Sequence, residues 1–155
     1  MSGSVSIRLA FESERKALEA LQLRASLINE HDRESLLANP DAIELPLAQI
    51  AAGRVFVAES NGALTGFAVV LSRADGDADL DGLFVEPARW RDGIGRALVD
   101  HVSALARTEG ATTLHVIGNA HAVEFYERCR FSVCGSAETR FGPALAMRRS
   151  LSPSA

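Results

Sequence analysis

The sequence contains few of the residues that build metal centres and disulfides. Two cysteines, Cys129 and Cys134, are present among 155 residues. Their spacing matches neither a usual metal-binding pair nor a usual redox pair, so we expect two reduced thiols. The four histidines are scattered along the chain and suggest no metal cluster. The sequence therefore predicts a protein without a bound metal.

The sequence is also poor in positive charge and in long apolar runs. The 16 Lys and Arg against 20 Asp and Glu give a formal net charge of −4, and no basic stripe is present. This balance argues against nucleic acid and against an anionic membrane surface as the main partner. Residues 1–10 carry no apolar run typical of a signal peptide, and no stretch of the sequence is long enough to span a bilayer. We therefore expect a cytoplasmic protein.

What is present is the composition of an ordinary globular domain. Hydrophobic residues make up 47% of the chain and charged residues 23%, which is typical of such proteins. The length suits one domain with its own core, and no internal repeat is visible. We therefore expect a single domain over residues 1–155.

Hydrophobic periodicity and turn residues predict the order of helices and strands. The predicted strands are Val5–Phe11, Arg54–Glu59, Ala63–Ser72, Leu80–Val85, Thr112–Ile117, Phe131–Gly135 and Ala144–Leu151. The predicted helices run from Ser13 to near Asn29, over Asp32–Leu37, from near Pro46 to Gly53, from Gly95 to Gly110 and over Asn119–Cys129. This order predicts an α/β (α+β) fold with a mixed, mostly antiparallel central sheet of about seven strands, flanked by about four helices.

One stretch, Asp79–Leu98, connects a strand through a glycine turn to a helix. The strand ends before Pro87, and Gly93-Ile94-Gly95 opens the helix. The first turn of a helix has unpaired N–H groups and a partial positive charge, so this arrangement can hold an anion. Arg91 and Arg96 could add side-chain charge. The same pattern is equally consistent with a helix start that needed only a tight turn, because the third glycine of a dinucleotide fingerprint is absent.

A second segment, Asn119–Phe131, follows a later strand, and together the motifs resemble the GNAT superfamily of acyl-CoA-dependent N-acetyltransferases. The glycine motif of that family matches Trp90–Gly95, with Trp90 in place of the usual Arg or Gln. The second motif matches through Asn119, Ala122, Tyr126 and Phe131. Arg130 stands where the family usually has Gly, so a positive φ there would cost about 1–2 kcal/mol.

The resemblance implies acetyl-CoA as co-substrate and no metal. It implies that the pyrophosphate binds the backbone amides of Arg91–Arg96 and that pantetheine pairs with the backbone of the fourth strand, where that strand splays from the fifth. The implied cofactor-binding residues are Leu83, Phe84, Val85, Arg91, Asp92, Gly93, Ile94, Gly95, Arg96, Asn119 and Tyr126.

The implied reaction is direct attack of a primary amine on the thioester. Asp79 and Asp81 are the candidate bases, because strand alternation puts them on one face; alternatively, they are solvated acids that limit edge pairing. Tyr126 is the candidate general acid for the leaving thiolate, since a phenol (pKa ~10) can hydrogen-bond a thiolate whose conjugate acid titrates near ~8.5. The alternative for Tyr126 is a core tyrosine.

The sequence leaves the acceptor and the partners open. The acceptor is a small amine, an amino-acid derivative or a peptide N-terminus. His31, Asp32 and Glu34 form either an acidic recognition patch or helix-end charges, and His115 faces either the cleft or a helix. The last strand offers an edge through which a homodimer could form. Two other functions are carried as alternatives: a catalytically idle acyl-CoA-binding sensor or interaction module, and a site for adenosine phosphates.

Overall fold

The computed structural model describes residues 5–28, 30–38, 43–119, 122–139 and 142–151. The strands are β1 (Ser6–Leu9), β2 (Val55–Ser60), β3 (Ala63–Ser72), β4 (Ala78–Val85), β5 (Thr113–Gly118), β6 (Ser132–Thr139) and β7 (Gly142–Ser150). The α-helices are α1 (Arg15–Leu27), α2 (Glu30–Ala38), α3 (Leu47–Ala51), α4 (Ile94–Thr108) and α5 (Val123–Arg128). Short 3-10 turns cover Glu12–Glu14 and Pro87–Arg89.

The strands form one seven-stranded sheet in the order β1-β2-β3-β4-β5-β7-β6. β4 and β5 run parallel, whereas β1 with β2, β2 with β3, β5 with β7 and β6 with β7 pair antiparallel. A parallel pair needs a long crossover, and α4 provides it between β4 and β5. The predicted α/β fold with a mixed, mostly antiparallel sheet is confirmed.

The chain packs as two compact units, and the first comprises Met1–Val69 and Gly82–Leu98. Its core includes Leu18 and Leu21 of α1 and Phe67 of β3, each 1% exposed or less. Gly66 lies deep in this unit, because a Cβ there would come within 2.9 Å of the Phe84 carbonyl oxygen. The missing side chain therefore lets β3 and β4 approach closely.

The second unit comprises Val70–Asp81 and Val99–Ala155. Its core includes Val102 of α4, Leu114 of β5 and Met147 of β7, each 1% exposed or less. β7 pairs with β5 through Thr113–Gly118 and with β6 on its other side. Because β7 is paired along both of its edges, the prediction that the last strand offers a free edge is wrong. The edge strand at this end of the sheet is β6.

Among the boundaries that differ from the sequence-based prediction, two differ for reasons that the structure shows. α5 begins at Val123 rather than at Asn119, because the Asn119 side chain accepts a hydrogen bond from the Ala122 N–H (3.0 Å) and holds a turn. β6 continues to Thr139 rather than ending at Gly135. Its residues are mostly exposed, so its far half carries no apolar alternation that could reveal a strand. The sequence Arg140-Phe141-Gly142-Pro143 is typical of a turn; its first two residues lie outside the described residues, and β7 begins at Gly142.

Candidate active site

The end of β4 presents backbone groups on the side away from β3. The Glu86 N–H donates to the Thr65 carbonyl of β3 at 2.8 Å, and the Phe84 carbonyl also lies toward β3, near Gly66. Backbone groups alternate along a strand, so Leu83 and Val85 direct theirs to the opposite side. These are the positions at which the resemblance implies pairing with pantetheine.

One of these backbone groups already has a partner within the chain. The Trp90 indole Nε1–H donates to the Val85 carbonyl at 2.8 Å. Trp90 thus uses its polar atom to tie the glycine turn to the end of β4, while 44% of the residue stays exposed. A carbonyl oxygen has two lone pairs, so the Val85 oxygen can accept a second hydrogen bond.

The glycine turn bends sharply before α4. Gly93 has φ +79° and Arg91 has φ +90°, both in the left-handed region. A Cβ at Gly93 would meet nothing within 4 Å, so glycine is needed here for its conformation rather than for space. Arg91, Asp92 and Arg96 are exposed, whereas Ile94 and Gly95 are buried. Asp92 forms an ion pair with Arg89 at 2.6 Å.

An ion pair fixes the residue that follows β4. Arg24 of α1 donates two hydrogen bonds to the Glu86 carboxylate, at 2.9 and 2.7 Å. The guanidinium lowers the pKa of Glu86, mainly through these bonds. The bidentate geometry connects α1 to the start of the turn that leads to Gly93.

In the second unit, a cleft of about 340 Å³ lies over one face of β4, β5 and β7. Its lining includes Arg73, Asp79, Asp81, His115, Ile117 and Cys134. The parallel ladder places Asp79 directly beside His115. Both predicted base candidates, Asp79 and Asp81, therefore line this cleft. His115, which the sequence placed facing either the cleft or a helix, lines the cleft as well.

The two carboxylates in this cleft have different surroundings. Asp79 accepts a hydrogen bond from Arg73 at 3.0 Å, and Arg73 also pairs with Asp75 at 3.1 Å. Asp81 is an exposed residue, but the protein around its carboxyl group removes part of the solvent, and this desolvation raises the pKa of Asp81. The negative charge of Asp79 raises it further, by a smaller amount.

His115 also has a partner that sequence analysis missed. Its Nε2 lies 3.1 Å from Oδ2 of Asp77. The available signal in the sequence was the position of Asp77 two residues before Asp79, which puts both residues on one face if the strand begins early enough.

Tyr126 is held by aromatic neighbours and by a glycine. The residue is 8% exposed, and its ring packs edge-to-face on Phe125 (5.2 Å between centroids) and Phe131 (5.4 Å). A Cβ at Gly118 would lie 3.0 Å from Cε2 of Tyr126, so the ring rests directly on the β5 backbone. Burial raises the pKa of Tyr126, with a smaller effect from Cys129.

The remaining predicted positions fall into three groups. The Asn119 side chain is engaged with the Ala122 N–H, so its polar end serves the turn before α5. His101 and Glu34 are exposed. His121 and the side chains of His31 and Asp32 lie outside the described residues.

Among the residues that the structure describes, no group of three or more His, Cys, Asp and Glu side chains could hold a metal ion. Within the same ranges, none of the helices is both long enough and apolar enough to cross a membrane.

Comparison with known proteins identifies similar structures over nearly the whole chain. PaiA N-acetyltransferase from Thermoplasma acidophilum, in complex with coenzyme A, matches with a TM-score of 0.77 and 18% identity, covering 95% of this chain and 99% of that one. The ribosomal-protein-S18-alanine N-acetyltransferase from Escherichia coli matches with a TM-score of 0.70 and 22% identity, covering 98% and 97%. At these identities the likeness shows a shared fold.

A shorter match has higher identity. Nourseothricin acetyltransferase is 29% identical, with a TM-score of 0.59, over 63% of this chain; the match spans 65% of the length of that protein. A comparison with curated proteins found no match.

The family model described as Acetyltransferase (GNAT) family matches residues 19–131. This range includes β4, the glycine turn, α4, β5 and α5, and every predicted catalytic and cofactor-binding residue, from Asp79 to Tyr126, lies within it. The chain belongs to the GNAT family of acetyltransferases, which are acyl-transferring enzymes.

Proposed function

We propose that this protein transfers an acetyl group from acetyl-CoA to a primary amine by direct attack of the amine on the thioester. The observation that carries the proposal is the end of β4, where Leu83 and Val85 direct backbone groups away from β3 just before the glycine turn and the start of α4. That order of features suits a ligand with an amide-containing arm and a pyrophosphate, which coenzyme A has. The coenzyme A complex of the Thermoplasma relative supports this choice.

In this proposal the pyrophosphate binds at the start of α4. The first N–H groups of a helix have no intrahelical partner, and the helix dipole favours a negative charge there. α4 is 15 residues long, and the positive φ values of Arg91 and Gly93 turn the chain into its first turn. Arg91 and Arg96 are exposed beside it and are the cations we assign to the phosphates.

We assign the pantetheine arm to the backbone of Leu83–Val85; Asn119 is a further cofactor-binding residue that the resemblance implies. The amides of the arm would pair with the N–H and C=O groups that β4 directs away from β3, as an added strand does. The Trp90 indole occupies one lone pair of the Val85 carbonyl. Binding should therefore change the surroundings of Trp90, the single tryptophan of the chain.

We assign the acceptor amine to the cleft lined by Asp79 and Asp81. These carboxylates attract the ammonium form of an amine, which predominates at neutral pH because alkylammonium groups titrate near ~10.4. Of the two, Asp81 is the better candidate for accepting a proton, since its pKa is raised and Asp79 is paired with Arg73. Whether the amine belongs to a small molecule or to a peptide is left to an acceptor panel.

Tyr126 is the proposed general acid. Because its pKa is raised by burial, the phenol stays protonated throughout the working pH range and remains a hydrogen-bond donor. Complete proton transfer to the thiolate is uphill, but a hydrogen bond that strengthens as charge develops on sulfur still lowers the barrier. The packing on Phe125, Phe131 and Gly118 fixes the ring for this role.

We also propose that the chain works as a single domain in the cytoplasm. A homodimer is a further proposal; the strand that would serve it is β6, which stands at the end of the sheet.

Substitution Tyr126→Phe tests the reaction. It keeps the ring contacts and removes only the hydroxyl, so we expect turnover with the best acceptor to fall about 10²-fold while the Kd for acetyl-CoA stays within about twofold of the wild-type value. Steady-state kinetics with an amine panel and calorimetry measure the two quantities. Unchanged turnover would contradict the assignment, and acetyl-CoA binding without transfer to any amine would favour the idle sensor.

A second variant tests the position of the ring rather than its hydroxyl. In Gly118→Ala the new Cβ falls within about 3 Å of Tyr126, so the ring must shift and turnover should drop. Gly135→Ala is the matched control, because a Cβ there meets nothing within 4 Å; its turnover should equal that of the wild type.

A further inference from the structure

Asp77 is immobilised at the start of β4 by several donors. Its Oδ1 accepts hydrogen bonds from the Thr112 N–H (3.3 Å), the Thr112 hydroxyl (3.2 Å) and the Thr113 N–H (3.2 Å). Its Oδ2 lies 3.1 Å from Nε2 of His115. The carboxylate therefore joins the turn before β4 to the start of β5 and also holds an imidazole.

This contact determines which nitrogen of His115 carries the proton. The hydrogen bond from His115, with those from Thr112 and Thr113, lowers the pKa of Asp77, so Asp77 is ionised and can only accept. In the neutral imidazole, Nε2 then carries the hydrogen and Nδ1 is left with a lone pair. The side chains of His115 and Asp77 are 25% and 22% exposed, so protons can still exchange with water.

We propose that His115, oriented by Asp77, removes the proton from the ammonium group of the acceptor amine, while Asp81 binds that ammonium by charge. The inference rests on the proposed function and assigns the role of base to His115 instead of Asp81. His115 lines the same cleft as Asp79 and Asp81 and lies beside Asp79 in the β4–β5 ladder.

The proton balance of this step is complete. One N–H bond of the ammonium breaks and an Nδ1–H bond forms on His115, which leaves a neutral amine and an imidazolium. The amine nitrogen bonds to the thioester carbonyl carbon, the C–S bond breaks, and the thiolate takes the Tyr126 proton. A second proton from the same nitrogen restores Tyr126, and the imidazolium releases its proton to water.

A histidine suits this task better than Asp79 does. Asp79 is already paired with Arg73 at 3.0 Å. Imidazole is the side chain whose protonation changes near neutral pH, and a general base works best when it titrates near the working pH. The charged and titratable groups around His115 are Arg73, Asp77, Asp79, Asp81, Arg148 (its partner on β7) and Cys134. Each of these groups can contribute to the pH profile of the reaction.

The first test compares the pH profiles of kcat/KM for the amine in the wild type, His115→Gln and Asp81→Asn. We expect His115→Gln to lower kcat about 10²-fold or more, with the Kd for acetyl-CoA unchanged. It should also abolish the acidic limb of the profile, which is the fall in kcat/KM as the pH decreases. Asp81→Asn should raise KM for the amine and keep the limb. A limb that survives in His115→Gln, or that disappears only in Asp81→Asn, would overturn the inference.

The second test does not depend on turnover. In protein labelled with 15N-histidine, NMR should show His115 as the Nε2–H tautomer in the wild type, and Asp77→Asn should weaken that preference. An Nδ1–H tautomer in the wild type would overturn the inference.

The two tests also separate the inference from the proposed function on which it rests. Failure of the wild type to acetylate any amine would overturn the proposed function. If the wild type is active and His115→Gln leaves the pH profile unchanged, only the inference is overturned.

Discussion

Two residues with unusual backbone angles lie in the two segments that resemble the family motifs. Arg91 has φ +90° before α4, and Arg130 has φ +72° after α5. Side chains with a Cβ are strained in this region, by about 1–2 kcal/mol per residue. The sequence predicted such strain at Arg130, where glycine is usual in the family, and the structure confirms the positive φ.

Replacement of Arg130 by glycine should therefore stabilise the protein. Relief of strain is partly offset by the greater freedom of glycine in the unfolded chain, which leaves a net gain of about 0.5–1 kcal/mol in the free energy of unfolding. Denaturant unfolding measures this quantity. Arg128→Gly is the control, because it puts glycine inside α5 and should cost about 1 kcal/mol. Equal destabilisation by both substitutions would show that the angle at Arg130 carries no strain.

At the scale of elements, β1, the turn after it and β2 are joined by one arginine. Arg8 donates to both oxygens of Glu14, at 3.0 and 2.8 Å, and to Glu59 at 2.9 Å. Glu14 also accepts the Phe11 N–H at 2.8 Å. These interactions lower the pKa of Glu14, with the Arg8 bonds as the largest cause. Because the pKa is lower in the folded state, the stabilisation is present above the unfolded value and is lost as the pH falls through the folded value.

Glu14→Gln should remove this stabilisation at neutral pH and flatten its pH dependence. We expect a loss of about 1–2 kcal/mol in the free energy of unfolding at pH 7. The difference from the wild type should shrink as the pH falls from the pKa of Glu14 in the unfolded chain through its lower pKa in the folded protein. Unfolding curves at a series of pH values provide the measurement. Glu12→Gln, an exposed position in the same turn, is the control; if both variants lose the same stability at every pH, the Arg8 network contributes nothing.

Local patterns in the sequence predict the elements better than they predict the pairings. Apolar alternation located β3, and the glycine spacing located the start of α4, because both signals are local. The order β5-β7-β6 and the exposed far half of β6 depend on contacts between distant parts of the chain. No local signal revealed that β7 would be enclosed on both sides.

The same distinction holds for the site. The positions from Leu83 to Arg96 were assigned from the sequence, because the motif that resembles the family lies there, and their role in binding stays a prediction. The bond from the Trp90 indole to Val85, the contact between Gly118 and Tyr126 and the pairing of Asp77 with His115 were not predicted. Each depends on side-chain positions that only the folded chain determines.

At the scale of the whole molecule, each compact unit carries part of the proposed chemistry. The first has the strand end and the helix start proposed for coenzyme A, and the second has the buried phenol of Tyr126 and the cleft with its carboxylates and imidazole. Binding of acetyl-CoA is the step on which both proposals depend. Competing ligands separate the alternatives, because ATP shares the adenosine phosphates of coenzyme A and lacks the pantetheine arm.

A calorimetric titration of the purified protein with acetyl-CoA, with ATP as the control ligand, measures that step. We expect saturable binding of acetyl-CoA, clearly tighter than that of ATP, and a parallel change in the fluorescence of Trp90. Absence of acetyl-CoA binding to well-folded protein, or binding no tighter than that of ATP, would contradict the proposed function and leave the glycine turn as a structural feature of α4.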